Sequence, residues 1–501
     1  MKAASNQQIS ELARRWAPWL LAMGLIAFAL LMFHKVLAPG ACLFSTDNNI
    51  GSTNLSKDTL PGDFLGAWSD STFLGLPIGF ASFTWLSILT WLLPLNMYID
   101  WIHAIDLVIA SLFIALFLRR QKIGLPAIAM GVLTAFWLGS NLTLTYAGHT
   151  GKYGVLMLAS VALYCISRAL SRPQDLLWGI LAGGAIGFMF IEQLDVALFF
   201  GLALGAYALF LAIRQWRASR TFGQSVVVLV LMGAIGLLLS APTMFNSYKS
   251  NVQDAAGAQQ ESPAAKWDFT TQWSWPPEEC IDFIAPGYMG WRSGEEAGPY
   301  WGRMGRSSGW EQTKQGFMNF KLENMYLGII PVLLALFAVL WSVMRRKMKC
   351  EPRMDTDGHG SEMGSGVAAV RGSAKTAEVL QAKNYPRNTL NDTEDAIGSH
   401  GSSAGTVRRP SSVVCRPFAA ERRAEILFWA CVAVITLLLA FGKFFPLYAL
   451  FYKLPLVSSI RNPNKFLQVF QLALGLLAAY GLDEMLCGKR AERGLSTEKG
   501  P

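Results

Sequence analysis

The chain has 501 residues, of which 52% are hydrophobic and only 15% charged, with 17 Trp and 30 Phe. A soluble domain carries about a quarter charged residues, so the composition excludes an ordinary soluble enzyme and points to lipid-facing surface. The net charge of +9 does not call for a nucleic acid, because the cations gather at the ends of apolar runs, where membrane topology accounts for them.

Apolar runs of about twenty residues, long enough to cross a bilayer, recur from Pro18 to Gly481. One set of connections is basic: Arg14-Arg15, Arg119-Arg120-Lys122, Arg168 with Arg172, Arg214 to Arg220, Arg345-Arg346-Lys347, Arg422-Arg423 and Lys489-Arg490. The positive-inside rule makes these cytoplasmic. The other face then collects Asp47, Asp63, Asp70, His103, Asp106, His149, Lys152, Glu192, Asp195 and Arg461. An all-α polytopic membrane protein is expected, with about ten transmembrane helices, both termini cytoplasmic and its polar equipment outward.

Helix one runs from Pro18 to Ala38, too long for a signal-peptide core of about 7–15 residues, and is read as uncleaved. A first outer loop covers 39–72. Residues 73–95 are apolar but broken by Gly75, Pro77, Gly79 and Pro94, which suits an interfacial segment. Helix two spans His103–Leu118, helix three Leu125–Tyr146, and helix four returns to Arg168 after the turn 147–154. Helix five, Leu176–Ile191, meets helix six at the short turn Glu192-Gln193-Leu194-Asp195, and helix seven is Val226–Met244. A large outer segment, 246–323, is dense in Trp, Pro and Gly, which predicts ordered loops and short helices. Helix eight, Tyr326–Met344, completes an N-terminal core of 1–348. Residues 349–423 lose periodicity and fill with Gly, Ser and charge, the composition of a disordered cytoplasmic linker. Residues 424–484 hold two last helices, Ile426–Phe441 and Phe466–Leu482, around an outer loop at 442–465; a cytoplasmic tail, 485–501, follows. Of seven cysteines only Cys42 and Cys280 reach the outer side, where one disulfide between them is open.

Asp47, just beyond helix one, stands where low dielectric meets lipid head groups. Such a carboxylate can take a proton from an acceptor hydroxyl or hold a divalent cation, with Asn48 and Asn49 orienting it; a turn or cap is the plainer role. His149 and Lys152, in the Gly-rich turn Tyr146–Gly154, suit an anionic head group, although the glycines also serve simply to make the turn. Glu192 and Asp195 flank a turn too short to need two acids for solubility; helix N-terminal amides can equally satisfy them. His103 and Asp106 lie one turn apart at the outer end of helix two, fit to orient a base or to complete a metal site with Asp47, or to make a structural contact. Arg461 and Lys465 flank Asn-Pro-Asn at the mouth of helix ten, where a lipid phosphate or simple snorkelling explains outer cations.

Taken in order, several motifs resemble the bacterial YfhO-like membrane proteins of the GT-C superfamily of polytopic glycosyltransferases. They are the acidic loop with Asp47, Gly-His-Thr-Gly-Lys at 148–152, Trp275-Pro-Pro-Glu-Glu before Ala285-Pro-Gly, and Pro299-Tyr-Trp-Gly302. Tyr326-Leu-Gly-Ile-Ile-Pro331 and Leu454-Pro to Arg461-Asn-Pro-Asn-Lys-Phe466, leading into Ala478-Ala-Tyr-Gly-Leu-Asp483, complete the set. The resemblance implies an enzyme of the bacterial cytoplasmic membrane that takes a sugar from a polyprenyl-phosphate donor on the outer face. Asp47 becomes the base or metal ligand and Glu192 or Asp195 a second acid. A divalent cation (Mg or Mn) is shared by Asp47 with Glu192 or Asp195, and Arg461 and Lys465 hold the donor phosphate. The segment 349–423 departs from the family pattern, and the chain ends soon after Asp483 where relatives continue, so a shortened member is expected. The rival functions are a transporter or flippase for a lipid-linked or polar solute and a non-catalytic assembly partner.

Overall fold

Among the described residues, six helices are long and apolar enough to cross a membrane by length and composition: 95–120, 150–171, 194–217, 222–245, 421–440 and 463–487. The computed structural model describes residues 16, 19–43, 45, 50–64, 68–69, 76–77, 83–171, 175–219, 222–248, 262–290, 300–344 (without 308, 317, 322 and 323) and 415–497 (without 455 and 456). Helices in chain order are α1 (Trp19–Met32), α2 (Ile50–Asp58), α3 (Trp85–Leu92), α4 (Leu95–Arg120), α5 (Leu125–Phe136), α6 (Ser140–Ala147), α7 (Thr150–Ser171) and α8 (Leu176–Glu192). They continue with α9 (Leu194–Ser219), α10 (Phe222–Tyr248), α11 (Pro263–Thr270), the single turn α12 (Trp310–Thr313), α13 (Ile329–Met344), α14 (Cys415–Ala440), α15 (Pro446–Tyr452) and α16 (Phe466–Thr497). Shorter apolar helices α1, α5, α8 and α13 stand where further crossings are expected. The chain is an all-α membrane protein. The described residues of 1–347 and 419–501 make one compact unit.

Within this unit the main packing runs from α10 to α8, α7, α4, α5, α16 and α13, with α9 laid against α7, α8 and α10. Helix α16 is the innermost crossing, almost wholly buried, whereas α10 leaves most of its surface exposed. Small residues set the close crossings, as expected where helices gain no hydrophobic drive against lipid. A side chain at Gly131 of α5 would meet Ala479 at 2.8 Å and the Gly475 carbonyl of α16 at 2.9 Å. Gly183 and Gly187 of α8 lie equally tight on α10, against the Met232 carbonyl at 2.6 Å and the Leu239 Cβ at 2.7 Å. Aromatic side chains instead hold α14 beside α9, through stacked Phe210 and Phe428 at 4.8 Å and Tyr207 against Trp429 at 5.2 Å.

Several boundaries differ from expectation. Helix two begins at Leu95, not His103, because Pro94 takes the N-cap position and no breaker interrupts 95–102. The interfacial stretch 73–95 contains a true helix, α3, whose N-cap Thr84 accepts from the Ser87 amide. Helix three is two helices: Gly139 turns at positive φ (+54°), and a side chain there would strike the Tyr326 carbonyl. Helix eight starts at Ile329, after Gly328 with φ +87°. The last stretch of the expected linker is already helical from Cys415, and α16 continues to Thr497 through residues expected as tail. The rest of the linker lies outside the described residues. Cys42 and Cys280 are free thiols, so no disulfide joins them.

The segment between α10 and α13 folds around a fully buried ion triad. Lys321 Nζ donates to Glu279 at 2.7 Å and Asp282 at 2.5 Å, under the Trp275 ring at 4.4 Å. The Tyr300 hydroxyl donates to Glu279 at 2.5 Å and accepts from the Met304 amide. A buried charge is tolerable only when paired and hydrogen-bonded, and here each carboxylate has a second donor.

Candidate functional site

Ionisable side chains from α4, α7, α8, α9 and α16 come together where α3 packs on the bundle. The Lys465 ammonium, at the mouth of α16, donates to the Asp195 carboxylate in the first turn of α9. Asp195 also accepts from its neighbour's amide, Val196, at 2.7 Å. Lys152 of α7, 4% exposed, acts electrostatically on the same carboxylate. Two cations therefore face one acid from two helices.

Glu192 ends α8 and spans the gap to α3, where it accepts from the Leu86 amide at 3.1 Å. That places a carboxylate at a helix N-terminus, where the macrodipole favours negative charge. Glycines allow this approach. Gly148, with φ +77°, terminates α6, but Gly151 and Gly154 lie inside α7, and a side chain at Gly154 would meet the Glu192 carboxylate at 3.4 Å.

Asp106 is fully buried in α4 and accepts from the Trp85 indole N–H at 2.9 Å. Its second oxygen has no hydrogen-bond partner, and Glu192 lies within electrostatic reach. His103, 3% exposed, hydrogen-bonds through neither ring nitrogen and takes the Tyr153 ring edge-on at 4.6 Å. Tyr153 in turn donates to the Asn141 carbonyl. Both residues were expected at the outer end of a helix. They sit at the ninth and twelfth positions of α4, about two to three turns in, because the helix starts earlier and α3 packs against it.

Arg461 stands apart from this cluster. Its guanidinium lies on the Phe269 ring at 3.6 Å and near Trp273 at 5.2 Å, and burial pulls its pKa down. Its Nε makes no hydrogen bond. The 461–465 turn is bolted to the end of α11 and the residues after it by Asn462 and Asn464 amides donating to the Thr270 and Trp273 carbonyls, both at 3.1 Å. Close by, Asn464 and Gln468 keep side-chain oxygens without partners although 7% and 3% exposed.

Of the residues singled out from the sequence, Glu192, Asp195, Lys152, Lys465, His103 and Asp106 thus converge. His149 is half-buried beside them, one residue ahead of α7. Asp47, Asn48 and Asn49 lie outside the described residues; their loop is tied to α4 by the Leu43 amide donating to Asp100 at 2.8 Å. Trp85, Leu86, Tyr153 and Gln468 were not foreseen. Only Gln468 left a signal, an amide one turn after Asn464 in an apolar run; the others are ordinary residues until their neighbours are known.

Among the described residues no three His, Cys, Asp or Glu side chains gather to hold a metal ion. The expected cation site, Asp47 with Glu192 or Asp195, falls partly outside the described residues; Asp195 pairs with Lys465 and Glu192 accepts from the Leu86 amide. The chain matches no family model, no curated protein and no solved structure.

Proposed function

We propose that this protein is a membrane glycosyltransferase, YfhO-like and of the GT-C kind, which moves a sugar from a polyprenyl-phosphate donor to an acceptor at the outer face of the bacterial cytoplasmic membrane. Both termini are cytoplasmic in this reading. The observation that carries it is the convergence of Lys152 and Lys465 on Asp195 beside Glu192 and Asp106. A lipid-phosphate leaving group asks mainly for positioning and charge neutralisation, and Lys465, bonded to Asp195, with Lys152 in electrostatic reach of the same acid, supplies positive charge at low dielectric. Arg461, with its Nε unused and its face on Phe269, adds a planar fork for phosphate oxygens. Asp47 is the proposed base that takes the acceptor proton.

The test is donor turnover by the purified protein in nanodiscs, with a panel of polyprenyl-phosphate sugars, beside Asp47→Asn and Lys465→Met. Turnover lost in both variants supports the reading; a wild type that turns over no donor overturns it. A second reading, a transporter for a lipid-linked or polar solute, is favoured by one observation. Asp106 is a fully buried carboxylate well inside an apolar helix, with one oxygen unpartnered, and intramembrane acids mark translocation paths. Flux in proteoliposomes that is lost in Asp106→Asn would choose it.

A further inference from the structure

The lobe that follows α11 shows an apolar face outside the helical bundle. Trp301 is 70% exposed and Tyr288 64%, while Ile281 and Ile284, one turn apart on the 3-10 stretch Pro277–Phe283 and its cap, are exposed beside them. These side chains form one surface: the Trp301 amide donates to the Met289 carbonyl at 3.0 Å, and its indole N–H to the Tyr288 carbonyl at 3.3 Å. The face is rigid. The Lys321–Glu279–Asp282 triad lies directly beneath it, and Asp282 also accepts from the Met289 amide at 3.0 Å. The apolar groups therefore have no local route to burial.

The surface is continuous with the lipid-facing side of a crossing helix. The Leu327 amide donates to the Phe283 carbonyl at 3.0 Å, and two residues later α13 opens with Ile329, Ile330 and Leu333, all more than half exposed. In a membrane protein that stripe faces acyl chains. Trp and Tyr are the residues that settle at the head-group level, one end apolar and the other wet. Among the described residues, Arg303 beside this face is already paired with Glu278 in a two-pronged pair at 2.6 and 3.1 Å.

We infer that this lobe rests on the bilayer, with Ile281, Ile284, Tyr288 and Trp301 seated among phospholipid head groups as a rigid anchor. Its occupant is lipid, continuous with the lipid around α13, rather than a protein partner. The inference needs only that the chain spans a membrane and stands apart from the catalytic reading.

The experiment installs the photo-reactive residue p-benzoylphenylalanine singly at positions 301, 288, 336 and 311. The full chain is reconstituted in nanodiscs of phosphatidylcholine and phosphatidylglycerol, irradiated, and its peptides are read by mass spectrometry. The replaced aromatics are exposed, so their substitution leaves the fold intact. Position 336 on α13 is the lipid-facing control, and position 311, an exposed glutamate paired with Arg306, the aqueous one. Phospholipid adducts at 301 and 288 as at 336, and none at 311, are expected. Adducts at 336 alone, or equal adducts at 311, would overturn the anchor.

Discussion

Lys465 and Asp195 lie 270 positions apart and form one ion pair between α16 and α9. Both are mostly withdrawn from water, with side chains 10% and 24% exposed. The phenyl rings of Phe466 and Phe199, next to the lysine and one turn past the acid, stack at 3.9 Å. A charged pair over a stacked pair fixes the depth at which the two helices meet.

Removing one partner should therefore cost far more than removing both. Lys465→Met strips Asp195 of its bonded cation and leaves only Lys152 within electrostatic reach, a loss approaching the about 3–5 kcal/mol of buried pairs. The double variant Lys465→Met with Asp195→Leu should regain most of that. Thermal unfolding in detergent, monitored at a fixed protein concentration, gives the cycle; equal loss in single and double variants would show that the pair is not coupled.

Glu192 is expected to hold α3 in place. Glu192→Gln keeps an acceptor for the Leu86 amide but loses the charge at the helix N-terminus, at about 0.3–1 kcal/mol. Glu192→Leu also leaves the amide unsatisfied, at about 1–3 kcal/mol. Hydrogen exchange of 85–92 should quicken in the order wild type, Gln, Leu, while 150–171 keeps its protection.

Glycines at helix crossings should separate cleanly by contact. A Cβ at Gly481 of α16 would strike the Leu334 carbonyl of α13, whereas one at Gly184 of α8 meets nothing within 4 Å. Gly481→Ala should lower the unfolding temperature markedly; Gly184→Ala should be neutral or stabilising by up to about 1 kcal/mol through helix propensity.

Thiol labelling will distinguish Cys42 from Cys280. Cys42 is exposed, while burial pushes the Cys280 thiol up to about 11. Only thiolate attacks a maleimide, so at pH 8 Cys42 should label rapidly and Cys280 slowly, with Cys280 gaining as the pH rises towards 11. Equal rates at pH 8, or a Cys42–Cys280 disulfide in non-reduced digests, would contradict this.

The membrane class was legible in the sequence because the cost of burying charge in lipid shapes composition directly. Runs such as Leu176–Glu192 and Leu194–Ser219 appear with nearly correct ends, since apolar length and flanking charge are local properties. The acids at 192 and 195 also stood out, as two carboxylates in a turn of four residues. Helix starts were less legible where the signal was conformational: Pro94 opened α4 two turns early, and Gly139 cut one expected helix in two.

What the sequence by itself determined is which residues must find partners away from lipid. Which partner each one found was decided only by tertiary structure. Asp195 met a lysine from the far end of the chain, Glu192 met the backbone of α3 rather than its own following helix, and Lys321 closed a triad with Glu279 and Asp282. The physical reason is that periodicity describes one helix at a time, whereas lateral neighbours follow from close crossings at glycines such as Gly131 and Gly183 and from aromatic spacers such as Tyr207 and Trp429. Those crossings bring distant charges within hydrogen-bonding distance, and at low dielectric that proximity turns a lone polar residue into part of a site.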